Sequence, residues 1–197
     1  MAAFLGNLRN VVIAGFVLAI LVAALYAGMG GMFDSTFWTF VVRWLHVASG
    51  VMWIGLLWYF NFVSTPTTPK IPEELRPALG RFITPAALWW FRWGAMSTIF
   101  FGILLALMNH YLGQAIIIGI GSHSAHITSI GIGMWLGTIM WFNVWFIIWP
   151  NQQKVLGMVE ATAEEKPRAA RIAGLASRTN TLLSIPMLYC MVSIHYY

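Results

Sequence analysis

The sequence predicts an all-α integral membrane bundle of five spans, and three observations carry that expectation. Apolar residues make up 59% of the 197 and charged residues only 9%, where a soluble domain carries about 25%. Mean hydropathy is +0.75, and stretches long enough to cross a bilayer's hydrocarbon core recur along the chain. Lys and Arg collect in the segments between those stretches, as the positive-inside rule requires.

Residues 11–33 form the first expected span and contain no charge. With Arg9 before it this end resembles a signal peptide, but the apolar run exceeds the roughly 7–15 residues of a signal core, so it reads as an anchor. Residues 36–63 are the second span and 89–108 the third. The fourth, 127–149, runs into Pro150, which is expected to stop it. The fifth, 182–197, is short and follows a polar start at 177–181. The run 112–121 is too short to cross and should lie at the interface or re-enter. Between the spans, 65–85 is proline-rich and reads as irregular or amphipathic, while 160–171 reads as a partly helical loop. The whole is one transmembrane domain with no soluble domain.

Five spans place ten of the eleven basic residues on one side: Arg9, Lys70, Arg76, Arg81, Arg92, Lys154, Lys166, Arg168, Arg171 and Arg178. That side is then cytoplasmic, giving an N-in, C-out topology in a bacterial inner membrane. Arg43 is the exception. The same topology puts His46, His110, His123, His126 and His195 toward the outer face.

The formal charge of +5 is thus accounted for by topology, and no basic face in polar surroundings suggests nucleic acid. Cys190 stands alone, so no intramolecular disulfide forms. Metalloprotease, P-loop, nucleophile-elbow, dinucleotide and covalent-haem signatures are absent. The spans carry no acidic residue, which argues against a proton-coupled transporter.

Ionisable groups inside a span point to function. Arg43, His46, Gly50, Trp53, Leu57 and Asn61 share one face of the second span at helical spacing. There His46 could ligate the iron of a b-type haem, Arg43 could meet a propionate, and Gly50 could let a flat group approach, with Trp53 on the same stripe. The plainer alternative is a histidine bonded to a neighbouring helix, with Arg43 reaching the outer headgroups. In the fifth span Asn180, Ser184, Met187, Met191 and His195 share a face, making His195 the second candidate iron ligand or a polar helix end. His123 and His126, three apart, with His110 as a third partner, could hold copper or another metal, or form a solvated loop. Gly133 and Gly137 form a GxxxG packing motif, and Asn61, Asn143 and Asn180 are candidates for interhelical hydrogen bonds.

Four stretches resemble the membrane domain of the cytochrome-c-linked urate oxidases: RWLHVASGVMWIG (43–55), WFRWGA (90–95), GTIMWFNVWFIIWPNQQK (137–154) and SRTNTLLSIPMLYCMVSIHY (177–196). The third is the most specific. The resemblance puts His46, Trp53, Gly55, Trp93, Gly137, Thr138, Asn143, Pro150, Asn151, Gln152, Lys154, Arg178, Asn180 and His195 on matched positions. It implies a membrane domain that oxidises urate and passes electrons to a cytochrome c domain after the last span. These 197 residues hold no such domain, the first span is additional, and the region before GTIM is shortened to 110–126.

Three functional readings follow. The first is a membrane redox protein with haem b held by His46 and His195, exchanging electrons with a periplasmic cytochrome c. The second is a non-catalytic accessory subunit of a larger respiratory or oxygenase complex, or a homo-oligomer, packed through its Trp-rich faces in lipid. The third is an outer-face metal protein built on His110, His123 and His126.

Overall fold

The computed structural model describes residues 2–28 and 33–193. All regular structure among them is helical. Among the described residues four helical stretches are long and apolar enough to cross a membrane: Leu8–Ala27, Ser35–Lys70, Glu73–Met108 and Ala125–Val155. The chain divides into two units, Met1–Val41 and Val42–Tyr197.

In the first unit α1, Leu8–Gly28, is apolar from Val11 onward and none of its span is buried. Asn7 caps it by accepting the Arg9 N–H at 3.0 Å. Asp34 likewise caps α2, Ser35–Trp58, by accepting the Phe37 N–H at 2.9 Å. Both are short polar side chains at the position that satisfies orphan donors of a first turn.

The second unit contains most of α2 together with α3 (Thr84–Met108), the short α4 (Leu112–Ile116), α5 (Ala125–Phe142) and α6 (Glu165–Val192). Ser124 caps α5 through the Ile127 N–H. Thr162 and Glu165 exchange bonds ahead of α6, each side chain accepting the other's N–H at 3.2 and 2.9 Å. This is a capping box, readable as T-x-x-E in the sequence.

Two pairs of helices are stitched antiparallel. Along α2 and α3, His46 meets Thr98, Ser49 meets Ser97, and Gly94 lies against the Trp53 backbone. Along α5 and α6, Ser129 meets Ser193, Gly133 lies against Cys190, and Asn143 meets Asn180. Trp58 and Asn61 of the α2 rod bond Ser184 and Ser177 of α6, which joins the two pairs into a four-helix bundle. Its core holds Trp53, Ile54, Leu57, Leu88, Phe91, Ala95, Met140, Val144, Ile148 and Met187.

Small residues make the close approaches possible. Gly94, Thr98, Gly102 and Ala106 recur every fourth residue on α3, the small-residue face that lets membrane helices touch. A Cβ on Gly94 would stand 3.3 Å from the Trp53 backbone nitrogen. Of the GMWLG pair, Gly133 is in tight contact, with an added Cβ 3.0 Å from Cys190 Cβ. Gly137 faces open space, so only one of the two glycines supports the packing expected of the motif.

Proline behaves differently from expectation. Pro150 does not stop the fourth span: Asn143–Ile148 widens into a π-helical turn and helix resumes over Trp149–Val155. The ring then falls in a first turn, where no N–H is needed. Pro66, Pro69, Pro77 and Pro85 also sit in first turns, so 65–85 is largely a chain of short helical pieces rather than irregular. The polar segment 177–181 is not a helix start. It lies mid-α6, with Thr179 and Thr181 hydroxyls donating to carbonyls four residues back. The fifth expected span, 182–197, is described only as far as Ser193.

Candidate functional site

His46 sits on α2 one helical turn inside Arg43. Its Nδ1 is 2.9 Å from the backbone carbonyl of Thr98. A carbonyl can only accept, so Nδ1 carries the proton. In the neutral imidazole the lone pair then belongs to Nε2, the arrangement that a carbonyl bonded to the other ring nitrogen imposes on metal-ligating histidines.

Gly102 makes that bond possible. It lies one turn beyond Thr98, and a Cβ there would stand 2.9 Å from His46 Cε1 and 3.2 Å from Nδ1 but 4.0 Å from Nε2. The Cε1 corner of the ring therefore rests in the glycine notch, with Nδ1 turned to the Thr98 carbonyl. Nothing in the sequence of α2 points to Thr98 or Gly102. The signal available was the four-residue repeat of small residues on α3.

Gly50 is open, with only the Thr98 methyl within 4 Å of an added Cβ, at 3.9 Å. Trp53 is 1% exposed, and its indole N–H has no hydrogen-bond partner among the described residues. The indole N–H groups of Trp141 and Trp145 share this condition. A buried unpaired donor is uncommon and marks a place where an acceptor is wanted. Arg43 is exposed and makes no ion pair among the described residues, where Lys154–Glu165 is the pair found. It does act electrostatically on Tyr111, whose phenol is pushed up by burial and drawn back down by the Arg43 charge. The Tyr111 ring meets His126 edge-on at 6.5 Å.

The other histidines are placed by backbone geometry. His110 takes φ 59° just past α3. Its N–H bonds Leu107 O and the next N–H bonds Ala106 O, closing the helix in the left-handed cap usually given to glycine. His123 also has a left-handed φ, 50°. Both are exposed while His126 is half-buried. Among the described residues no three His, Cys, Asp or Glu side chains form a group able to hold a metal, so His110, His123 and His126 are not assembled into one. His195 lies outside the described residues.

The haem question therefore rests on His46. With Nδ1 bonded to the carbonyl, Nε2 carries the lone pair a metal would need, and an unpaired Trp53 N–H and open space at Gly50 lie on the same helix. The second ligand would come from outside the described residues.

At the opposite end of the bundle, a cleft of about 190 Å³ opens between residues 60–65, 84–91, 148–152 and 173–178. Gln152 and Arg178 line it, both within the stretches 137–154 and 177–196.

No curated protein and no solved structure matches the chain. A family model described as urate oxidase N-terminal matches residues 118–197, the part that includes α5, α6, Asn143, Asn180, Gln152 and Arg178 but not His46. This match supports a relationship between the chain and a urate-oxidase-related family.

Proposed function

We propose that the chain is a membrane redox protein of urate-oxidase-like descent that binds a b-type haem in the outer half of its bundle. The supporting observation is the His46–Thr98 bond, which fixes the tautomer and leaves Nε2 to ligate. His46 and His195 would hold the iron, and Arg43, one turn outward from His46, would neutralise a propionate. A bound haem would supply one-electron ferric–ferrous chemistry. The chain's own residues hold the imidazole, exclude water around Trp53, and set a cation at the outer rim.

Five spans with N-in, C-out topology in a bacterial inner membrane place this site toward the periplasm. A periplasmic cytochrome c is then the electron partner, and urate-like ring oxidation is the reaction class suggested by the family match. A reduced-minus-oxidised spectrum of the purified protein tests the reading. A b-type band that His46→Ala removes and His123→Ala leaves intact is expected. The absence of any band in the unaltered protein overturns it.

A second reading, a cofactor-free accessory subunit, draws on the exposed Trp89, Trp90 and Trp93 and on the unburied span of α1. Stoichiometric co-purification with a larger membrane complex, without haem, would establish it instead.

A further inference from the structure

The cleft at the Gln152 end has the composition of a small-molecule site. Its floor is apolar: Phe60 and Phe91 meet edge-to-face at 5.9 Å, beside Leu88 and Ile148. Its rim is polar, and apart from the bonded Asn61 and Ser177 much of it is unpaired. The side chains of Gln152, Arg178, Thr65 and Thr84 line it, and none makes a hydrogen bond or ion pair within the described residues. No Asp or Glu lines it, so the Arg178 charge stands without a counter-ion there. An apolar floor with a few convergent polar groups is the usual build of a ligand pocket.

Gly174 adds an independent indication. It lies within α6 and lines the cleft, yet nothing stands within 4 Å of an added Cβ. A helix-interior glycine weakens a helix by roughly 1 kcal/mol relative to alanine, and no close helix contact at Gly174 requires it. Its missing side chain leaves the space beside the cleft unfilled.

We propose that this cleft binds a compact organic monoanion, its flat apolar body on Phe60 and Phe91 and its carboxylate-type head at Arg178 and Gln152. A planar guanidinium with a neighbouring amide is well suited to such a head. The site is separate from His46, which precedes Asn61 on the same helical rod by about 22 Å at 1.5 Å per residue. It stands or falls without haem.

The test uses the full-length protein in phosphatidylcholine nanodiscs, with benzoate as probe and benzamide as its neutral counterpart. Benzoate should raise Tm in a saturable way and bind about tenfold or more tightly than benzamide, the weight of one charge-assisted hydrogen bond. Arg178→Gln should erase that preference. Gly174→Leu, which grows into open space, should abolish the benzoate shift while leaving the ligand-free melt at or above its original value. Equal binding of benzoate and benzamide, or unchanged benzoate binding by the Gly174→Leu protein, overturns the proposal. Nanodiscs containing phosphatidylglycerol should leave the benzoate shift unchanged. Its loss there would overturn the soluble ligand and assign the site to an anionic lipid headgroup.

Discussion

His46 and Gly102 are matched parts of one contact: the imidazole occupies the space that a Cβ at 102 would fill, 2.9 Å from Cε1. The same notch exposes the Thr98 carbonyl to Nδ1. Gly102→Ala should therefore push the ring off its acceptor and destabilise the α2–α3 pair by about 1–3 kcal/mol, the usual range for overpacking. Gly50→Ala should be nearly silent, because its added methyl meets only a Thr98 methyl at 3.9 Å. Unfolding of both variants in detergent by near-ultraviolet circular dichroism checks the contrast. Equal losses would mean that His46 is not held by this notch.

The seam between α5 and α6 supports a parallel contrast. A Cβ added at Gly133 would stand 3.0 Å from Cys190 Cβ and 3.6 Å from the Met187 carbonyl, whereas one added at Gly137 would meet nothing within 4 Å. Gly133→Val should lower Tm clearly, because the backbone of α6 cannot yield as a side chain could. Gly137→Ala should be neutral or slightly stabilising through helix propensity. A melt in which Gly137→Ala is the more damaging would place the close contact one turn away from where it lies.

These contrasts show what the sequence could and could not convey. The stripe from Arg43 to Asn61 was legible because helical periodicity is local. The capping residues Asn7, Asp34, Ser124 and Thr162 could be read for the same reason. Gly102 could not, since its partner His46 lies 56 positions earlier and only the helix crossing brings them together. Pro150 misled because proline's effect depends on the turn before it, and a π-helical turn is not written in any single residue. His110 looked like a ligand by type, yet its observed role is to cap α3 in a conformation normally left to glycine. The cleft at Gln152 and Arg178 is assembled from four chain segments, so no stretch of sequence displayed it.

Asn143 and Asn180 form the most deeply buried polar link. Asn143 Nδ2 donates to Asn180 Oδ1 at 2.8 Å, and Asn180 Nδ2 donates to the Met140 carbonyl at 2.9 Å. Asn180 is fully buried, at 0% exposure. Asn180→Leu leaves the Asn143 side-chain N–H unpaired in an apolar seam, while the Met140 carbonyl keeps the Asn143 backbone N–H, and should cost about 1–3 kcal/mol. A double-mutant cycle with Asn143→Leu should return a coupling of about 0.5 kcal/mol or more. Strict additivity would show that the two amides do not support one another.

Glu165 supplies a pH prediction with a defined order of causes. The Thr162 backbone N–H holds its carboxyl below the usual glutamate range, Lys154 at 3.8 Å adds to this, and the Thr162 hydroxyl contributes further. A depressed folded value means that the ionised form favours the capped helix. That contribution is complete above the ordinary glutamate pKa and disappears as pH falls through the lower, folded value. A carbon-13 NMR titration of the Glu165 carboxyl should give a midpoint below that of a free glutamate. Thr162→Pro removes both the N–H and the hydroxyl and should raise the midpoint most. Lys154→Gln should raise it less, and less still in high salt, where the exposed pair is already screened. If Lys154→Gln moved the midpoint further than Thr162→Pro, the ion pair rather than the capping box would govern the start of α6.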